Sequence, residues 1–236
     1  MTYEADNMTD AEHQPLGTKA GIACAVSLEE LAVGISARAD EQDRLVVAIV
    51  GPPGSGKSTT TAALEAALVQ KHGLKVQVVP MDGFHYDNAI LSQLGLEHRK
   101  GAPETFDVGG LEATLQRLTD TDRLENIAVP VFDRDIDLSR ASARFIDRDT
   151  AVLLVEGNYL LLKNGPWSRL KQYFNLSVMI PCEEVTLRAR LIDRWRKLNY
   201  NDAEATLKVE TNDIPNGKRV IRESCSADFN LTWKQR

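Results

Sequence analysis

Cysteine is scarce: three in 236 residues, Cys24, Cys182 and Cys225, widely separated. An odd count without any C-x-x-C suggests neither a zinc site nor a disulfide framework, and a reducing compartment, the cytoplasm, is the expected setting. Long apolar runs are missing as well, none approaching the roughly 18 residues of a membrane span. The N-terminus, MTYEADNMTDAEHQ, lacks the basic-then-apolar pattern of a secretory signal, so a soluble chain without a signal peptide is expected. Nor is there an excess of positive charge. Against 28 Lys and Arg stand 34 Asp and Glu, a formal charge of −6, which argues against a general binder of nucleic acid or of anionic membranes. What the chain does have is 43% apolar residues, enough for a sizeable core in one large or two small domains.

Residues 1–26 are polar and irregular and read as a flexible N-terminal arm; residues 27–236 read as a single domain. Ser27 with Glu30 three positions on has capping-box spacing and opens a helix to about Asp40, with Leu28, Leu31 and Ile35 on one face. The run LVVAIV (45–50) has the character of a strand buried on both faces of a parallel sheet. Next come a helix over 57–71, ended by His72-Gly73, and a strand over 75–80. Residues 82–106 have weak periodicity and several Gly and Pro, and their length suggests a functional loop region. Asp107 caps a helix carrying Leu111, Leu115 and Leu118. Residues 127–132, with Pro130, read as an edge strand. Strands over 151–155, 174–180 and 228–233 and helices over 183–198, 202–209 and 213–223 complete the pass. Alternating strands and helices predict a three-layer α/β domain around a mainly parallel, five-stranded sheet with helices on both faces.

The motif that decides the class is GPPGSGKS, residues 51–58, which fits G-x-x-x-x-G-K-[ST], the Walker A or P-loop pattern. Gly51, Gly54 and Gly56 let backbone N–H groups turn inward around phosphate, and the helix directly after them adds its N-terminal partial charge. Pro52, Pro53 and Ser55 complete the loop. Lys57 is expected to reach β- and γ-phosphate oxygens, Ser58 to supply a hydroxyl to Mg²⁺, and Thr59 to lie near the α-phosphate. The bland alternative is a glycine-rich turn, but the placement between a buried strand and a helix favours an ATP-type nucleotide site.

Asp82, in MDGFH, directly follows a strand. It stands at the carboxyl edge where open α/β sheets bind ligands. A carboxylate there can accept a substrate hydroxyl's proton or join the magnesium shell, and its position leaves both roles open. Between residues 188 and 197 five basic residues (Arg188, Arg190, Arg194, Arg196, Lys197) meet one acid, Asp193. Arg190 and Arg194, i and i+4 on the face opposite Leu187, Leu191, Trp195 and Leu198, could neutralise a transferring phosphoryl group, the bland alternative being a solvated basic helix face.

Taken in order, GPPGSGKS, MDGFH, RKGAPETFD (99–107), PVFDR (130–134) and VEGNYLLL (155–162) resemble the superfamily of phosphoribulokinase, uridine kinase and bacterial pantothenate kinase. The resemblance spans roughly residues 40–235 and is strongest to the fructokinase-like, sugar transport system kinase branch. It implies a P-loop NTPase fold and ATP- and Mg²⁺-dependent phosphorylation of a hydroxyl on a small molecule. Asp82 matches the family's catalytic base, and Glu156 the acidic residue that holds magnesium through water or orients the attacking group. His85, Arg99, Lys100, Glu104 and Phe106 fall on segments lining the acceptor pocket, and Arg134 on a substrate-side basic position. Core packing for Phe106, a solvated pair for Arg99-Lys100 and a surface cap for Glu104 are the structural alternatives. Residues 183–212 match the lid. A fructose-like acceptor is expected, with nucleoside or pantothenate kinase as alternatives and a regulatory P-loop ATPase or switch as one from another class. The oligomeric state is left open, a homodimer included.

Overall fold

Six consecutive apolar residues need cover on both sides, and Leu45–Val50 is buried along its whole length at the middle of a parallel sheet. The computed structural model describes residues 24–122 and 124–232. Its strands are Cys24–Val26 (β1), Leu45–Val50 (β2), Val76–Pro80 (β3), Ile127–Asp133 (β4), Leu138–Ile146 (β5), Val152–Gly157 (β6), Leu176–Met179 (β7) and Phe229–Leu231 (β8). The helices are Leu28–Ala39 (α1), Lys57–His72 (α2), Asn88–Leu94 (α3), Val108–Thr119 (α4), Glu184–Lys197 (α5), Asp202–Lys208 (α6) and Ile214–Glu223 (α7). The main sheet has the order β1-β8-β7-β2-β6-β3 and every pairing in it is parallel.

Side chains alternate along β2 and so feed two cores. Val46, Ala48 and Val50 join Val79, Leu153 and Val155 beneath α4 and the helical segment Gly165–Tyr173, which contributes Trp167 and Leu170. On the other face Leu45, Val47 and Ile49 pack with Leu31 and Ile35 of α1 and Leu64 and Leu68 of α2. Each such fully buried aliphatic side chain contributes roughly 1.5–3 kcal/mol. The Ser27–Glu30 capping box forms as the spacing predicts, with Ser27 Oγ accepting from the Glu30 N–H and Glu30 accepting from the Ser27 N–H.

Four sequence expectations are revised. The sheet has six strands, because Cys24–Val26, read as the end of the arm, pairs with β8; residues 1–23 of the expected arm lie outside the described residues. The strand at 127–132 is not an edge of the main sheet. It forms an antiparallel ribbon with β5, bulged between Val129 and Val131 around Pro130. Residues 82–106 are not a loop but a chain of single turns and short helices: Met81–Phe84, α3, Glu97–Arg99 and Pro103–Thr105. Finally, the helices at 202–209 and 213–223 are continuous. A wide turn, Val209–Asp213, joins α6 to α7 through i→i+5 bonding, with the Ile214 N–H donating to the Val209 carbonyl.

Register places the functional edge. Ile49 sits opposite Glu156, and Glu156 opposite Pro80. The three central strands β2, β6 and β3 therefore end level, and the segments leaving their carboxyl ends meet at one edge.

Candidate active site

β2 ends at Val50, and the loop 51–56 turns the chain into α2. Gly54 (φ 78°) and Gly56 (φ 94°) both sit in the left-handed region, where a side chain would be strained. The turn needs those conformations to bring its amides inward at the first turn of α2, which supplies the positive end of the helix dipole. Ser55 is buried, and its Oγ makes no hydrogen bond within the chain.

Lys57, the first residue of α2, is buried to 9% exposure and donates from Nζ to the Pro52 carbonyl at 3.1 Å. Burial pulls its ammonium from the ordinary 10.5 down to about 8, against the opposing carboxylates of Glu156 and Asp82. The sign of the consequence is fixed. Between those two values the unfolded chain binds more protons at this lysine than the folded one, so stability rises as pH goes from about 8 to about 10.5. The protein alone should gain on the order of 3 kcal/mol at most from this group over that window. Urea unfolding at pH 8 and above, compared with Lys57→Met, checks this: the variant should lack that part of the rise.

Ser58 donates to Glu156 Oε1 at 2.7 Å. Glu156, at the end of β6, is half-buried. Burial raises its pKa, while the Ser58 hydroxyl and Lys57 act to lower it. Asp82, two residues beyond β3, meets Arg134 at 3.5 Å (Oδ2 to Nη2) in a partly exposed pair. Such a pair adds little to stability but aims both groups at the same space. From α5, Arg190 reaches the carbonyls of Gly54 and Ser55 at 3.4 and 3.3 Å. Arg194, exposed at the rim of this group, interacts electrostatically with Arg134, Asp213 and Asp82; partial loss of solvent, then the like charge of Arg134, lower its pKa. The loop, Lys57, Ser58, Asp82, Glu156, Arg134, Arg190 and Arg194 thus form one connected group.

The other predicted residues divide. His85 donates from Nδ1 to the Asp82 carbonyl at 2.8 Å, since a carbonyl can only accept, which leaves Nε2 as an acceptor. Its ring lies 4.0 Å from Phe106 and 4.7 Å from Phe132, and burial lowers its pKa. Phe106 is 3% exposed and belongs to the core, so it backs His85 from below. Lys100 binds Asn88 and Asp137 and sits over Phe132. Arg99 and Glu104 are engaged elsewhere: Arg99 with Asn212, Asn216 and Glu104, and Glu104 also with Arg219. Arg99 is thus not a solvated loop residue, whereas Glu104 is exposed and bound to two arginines.

Sequence reasoning missed Tyr159, whose hydroxyl donates to the Gly101 carbonyl at 2.6 Å, and Trp167, which donates to Pro103. Both hold the 99–106 segment from behind. It also missed Asn212, Asp213 and Asn216. Asn216 is only 2% exposed, and a buried amide needs partners, but that burial is set by the fold and has no mark in the sequence.

A phosphate-binding loop that opens a helix from the central strand of a parallel sheet, with carboxylates after the neighbouring strands, is the arrangement of a P-loop kinase. Residues 46–223 match the "Phosphoribulokinase / Uridine kinase family", and the chain belongs to that family. It is an ATP-dependent phosphotransferase that acts on a hydroxyl of a small molecule. Its relatives include the uncharacterized protein YggC of Escherichia coli, 35% identical over 80% of this chain and 77% of that one. A "putative uridine kinase" of Schizosaccharomyces pombe is 31% identical over 80% and 83% of the two chains. Among solved structures, a "putative fructose transport system kinase" from Silicibacter sp. TM1040 superposes with a TM-score of 0.81 at 37% identity, covering 89% of this chain and 100% of that one. No helix among the described residues is long and apolar enough to cross a membrane.

Proposed function

We propose that this kinase transfers the γ-phosphoryl group of MgATP to a hydroxyl of a small sugar-like, fructose-like acceptor. The observation that carries the reading is the convergence of Lys57, Ser58, Glu156 and Asp82 at the level ends of β2, β6 and β3. Phosphoryl transfer needs little covalent help from a protein. It needs a cradle for the phosphates, cations on the oxygens where charge develops, and a carboxylate at the attacking hydroxyl.

Residues 51–59 fill the first role, the loop amides and Lys57 holding the β- and γ-phosphates. Ser58 and Glu156 offer hard oxygen donors 2.7 Å apart, a pair that would hold Mg²⁺, whose charge would offset that of the phosphates. Glu156 is already committed to Ser58, whereas Asp82 faces Arg134 on the acceptor side, so Asp82 is the general base. His85 presents Nε2 as an acceptor for a substrate hydroxyl, and Lys100, Phe106 and Arg134 shape that side of the pocket, with Arg99 and Glu104 supporting it. Residues 183–212 act as a closing lid whose Arg190 and Arg194 complete the charge stabilisation. The name of the Silicibacter relative is what favours a fructose-like acceptor.

If the lid arginines act in this way, Arg190→Ala or Arg194→Ala should lower kcat on the order of a hundredfold while the acceptor KM changes little, because the interaction forms fully only in the transition state. A rise in KM with kcat unchanged would instead make them ground-state binding groups. The function itself is tested by coupled measurement of ADP release with and without sugars, nucleosides and pantothenate. Stimulation by a sugar is expected; equal turnover with no acceptor would favour a regulatory ATPase.

A further inference from the structure

The wide turn Val209–Asp213 ties the acceptor-side segment and α5 to neighbouring side chains of one element. Asn212 faces the acceptor side: its Oδ1 accepts from Arg99 Nη1 at 2.8 Å, and its Nδ2 donates to the Lys100 carbonyl at 2.9 Å. Asn216, one turn on, donates to Asn212 Oδ1 at 3.1 Å and accepts from Arg99 at 3.3 Å. Asp213 faces the other way. Its Oδ2 accepts from Trp195 Nε1 of α5 at 2.7 Å, and its carboxylate is a counter-charge to Arg194. Arg188 of α5 pairs with Glu210 at 2.6 Å and fastens the start of the same turn. Gly217 lies against the phosphate-binding loop, where an added Cβ would stand 3.4 Å from the Pro52 Cβ. Interrupting an α-helix by one i→i+5 turn costs regular hydrogen bonding, and such turns collect at functional sites.

We propose that this turn is a two-sided positioning element of the kinase site, in which Asn212 sets the 99–104 segment on the acceptor side and Asp213, bonded to Trp195 of α5, supplies a counter-charge to the neighbouring Arg194. Removing the Asp213 carboxylate takes away part of the negative charge that offsets the repulsion between Arg194 and Arg134. Consecutive residues thereby fix the acceptor wall and the phosphoryl-side cation relative to one another. The inference rests on the kinase function proposed for this site and names residues that the catalytic assignment does not use. Neither residue touches the reacting atoms; each acts through another.

The test compares Asn212→Ala, Asp213→Asn and Arg194→Ala in the full chain, with Asp213→Asn also placed on Arg194→Ala. Asparagine keeps an oxygen for Trp195 Nε1, so Asp213→Asn should fold. With a turned-over acceptor, Asn212→Ala should raise the acceptor KM roughly tenfold and leave kcat within about twofold. Asp213→Asn should lower kcat about tenfold, leave the acceptor KM unchanged, and add nothing once Arg194 is alanine. Additive losses in the double variant, or parallel changes of KM and kcat in both single variants, would overturn the assignment. Hydrogen exchange gives a second measure that needs no acceptor. Residues 99–104 should exchange faster in Asn212→Ala and residues 190–197 faster in Asp213→Asn, and unchanged exchange in both would also overturn it. Wild-type turnover that no acceptor stimulates would count against the kinase function alone, with the exchange result still deciding the positioning role.

Discussion

Lys57→Ala should abolish detectable acceptor phosphorylation, a loss of at least about 10³-fold, while the chain stays folded. The lysine begins α2 inside the phosphate-binding loop and is buried there beside Glu156 and near Asp82. Its burial works against its own charge, so removing it should cost little stability near neutral pH. Circular dichroism and urea unfolding verify the fold, and coupled ADP release measures the activity. Near-normal turnover in a folded variant would show that the loop takes no part in the chemistry.

Asp82→Asn should retain ATP binding and lose roughly 10²- to 10⁴-fold in turnover, the scale expected for removal of a general base. Asparagine preserves shape and hydrogen-bonding capacity, and the group it alters comes just after β3 at the same level as Glu156. The Arg134 contact, at 3.5 Å and partly exposed, contributes too little for its loss to explain such an effect through stability. Calorimetric titration with MgATP separates the roles. Affinity lost in step with turnover would move Asp82 into the magnesium shell, and turnover close to wild type would transfer the base to Glu156.

The parts of the site legible in the sequence are those tied to the ends of strongly patterned strands. LVVAIV has no plausible fate but a doubly covered strand, and that fixes GPPGSGKS at a sheet edge; the same logic carries Asp82 and Glu156. The capping box at Ser27 is likewise a local signal that the fold obeys. β1 was not legible, because three residues, Cys-Ala-Val, become a strand only when β8 offers its edge. β5 was hidden for a different reason: LSRASARFI is exposed over most of its length, so no alternation of apolar and polar residues marks it. The 82–106 stretch is held by local devices, an Asp87 cap on α3 and Pro103 opening a single turn, each too short to produce periodicity. Arg99 and Glu104 were selected by resemblance to family segments, yet their partners lie more than a hundred residues away on the turn 209–213 and on α7. Such pairings arise from tertiary packing and leave no local trace.

Direct detection of the product tests the central claim most plainly. Incubation of the wild-type chain with MgATP and fructose, with mass spectrometry of the sugar fraction, should show a phosphorylated sugar formed in step with ADP, with none from Lys57→Ala. Inorganic phosphate released at the same rate with and without any sugar, nucleoside or pantothenate, and no phosphorylated acceptor in any of them, would contradict it.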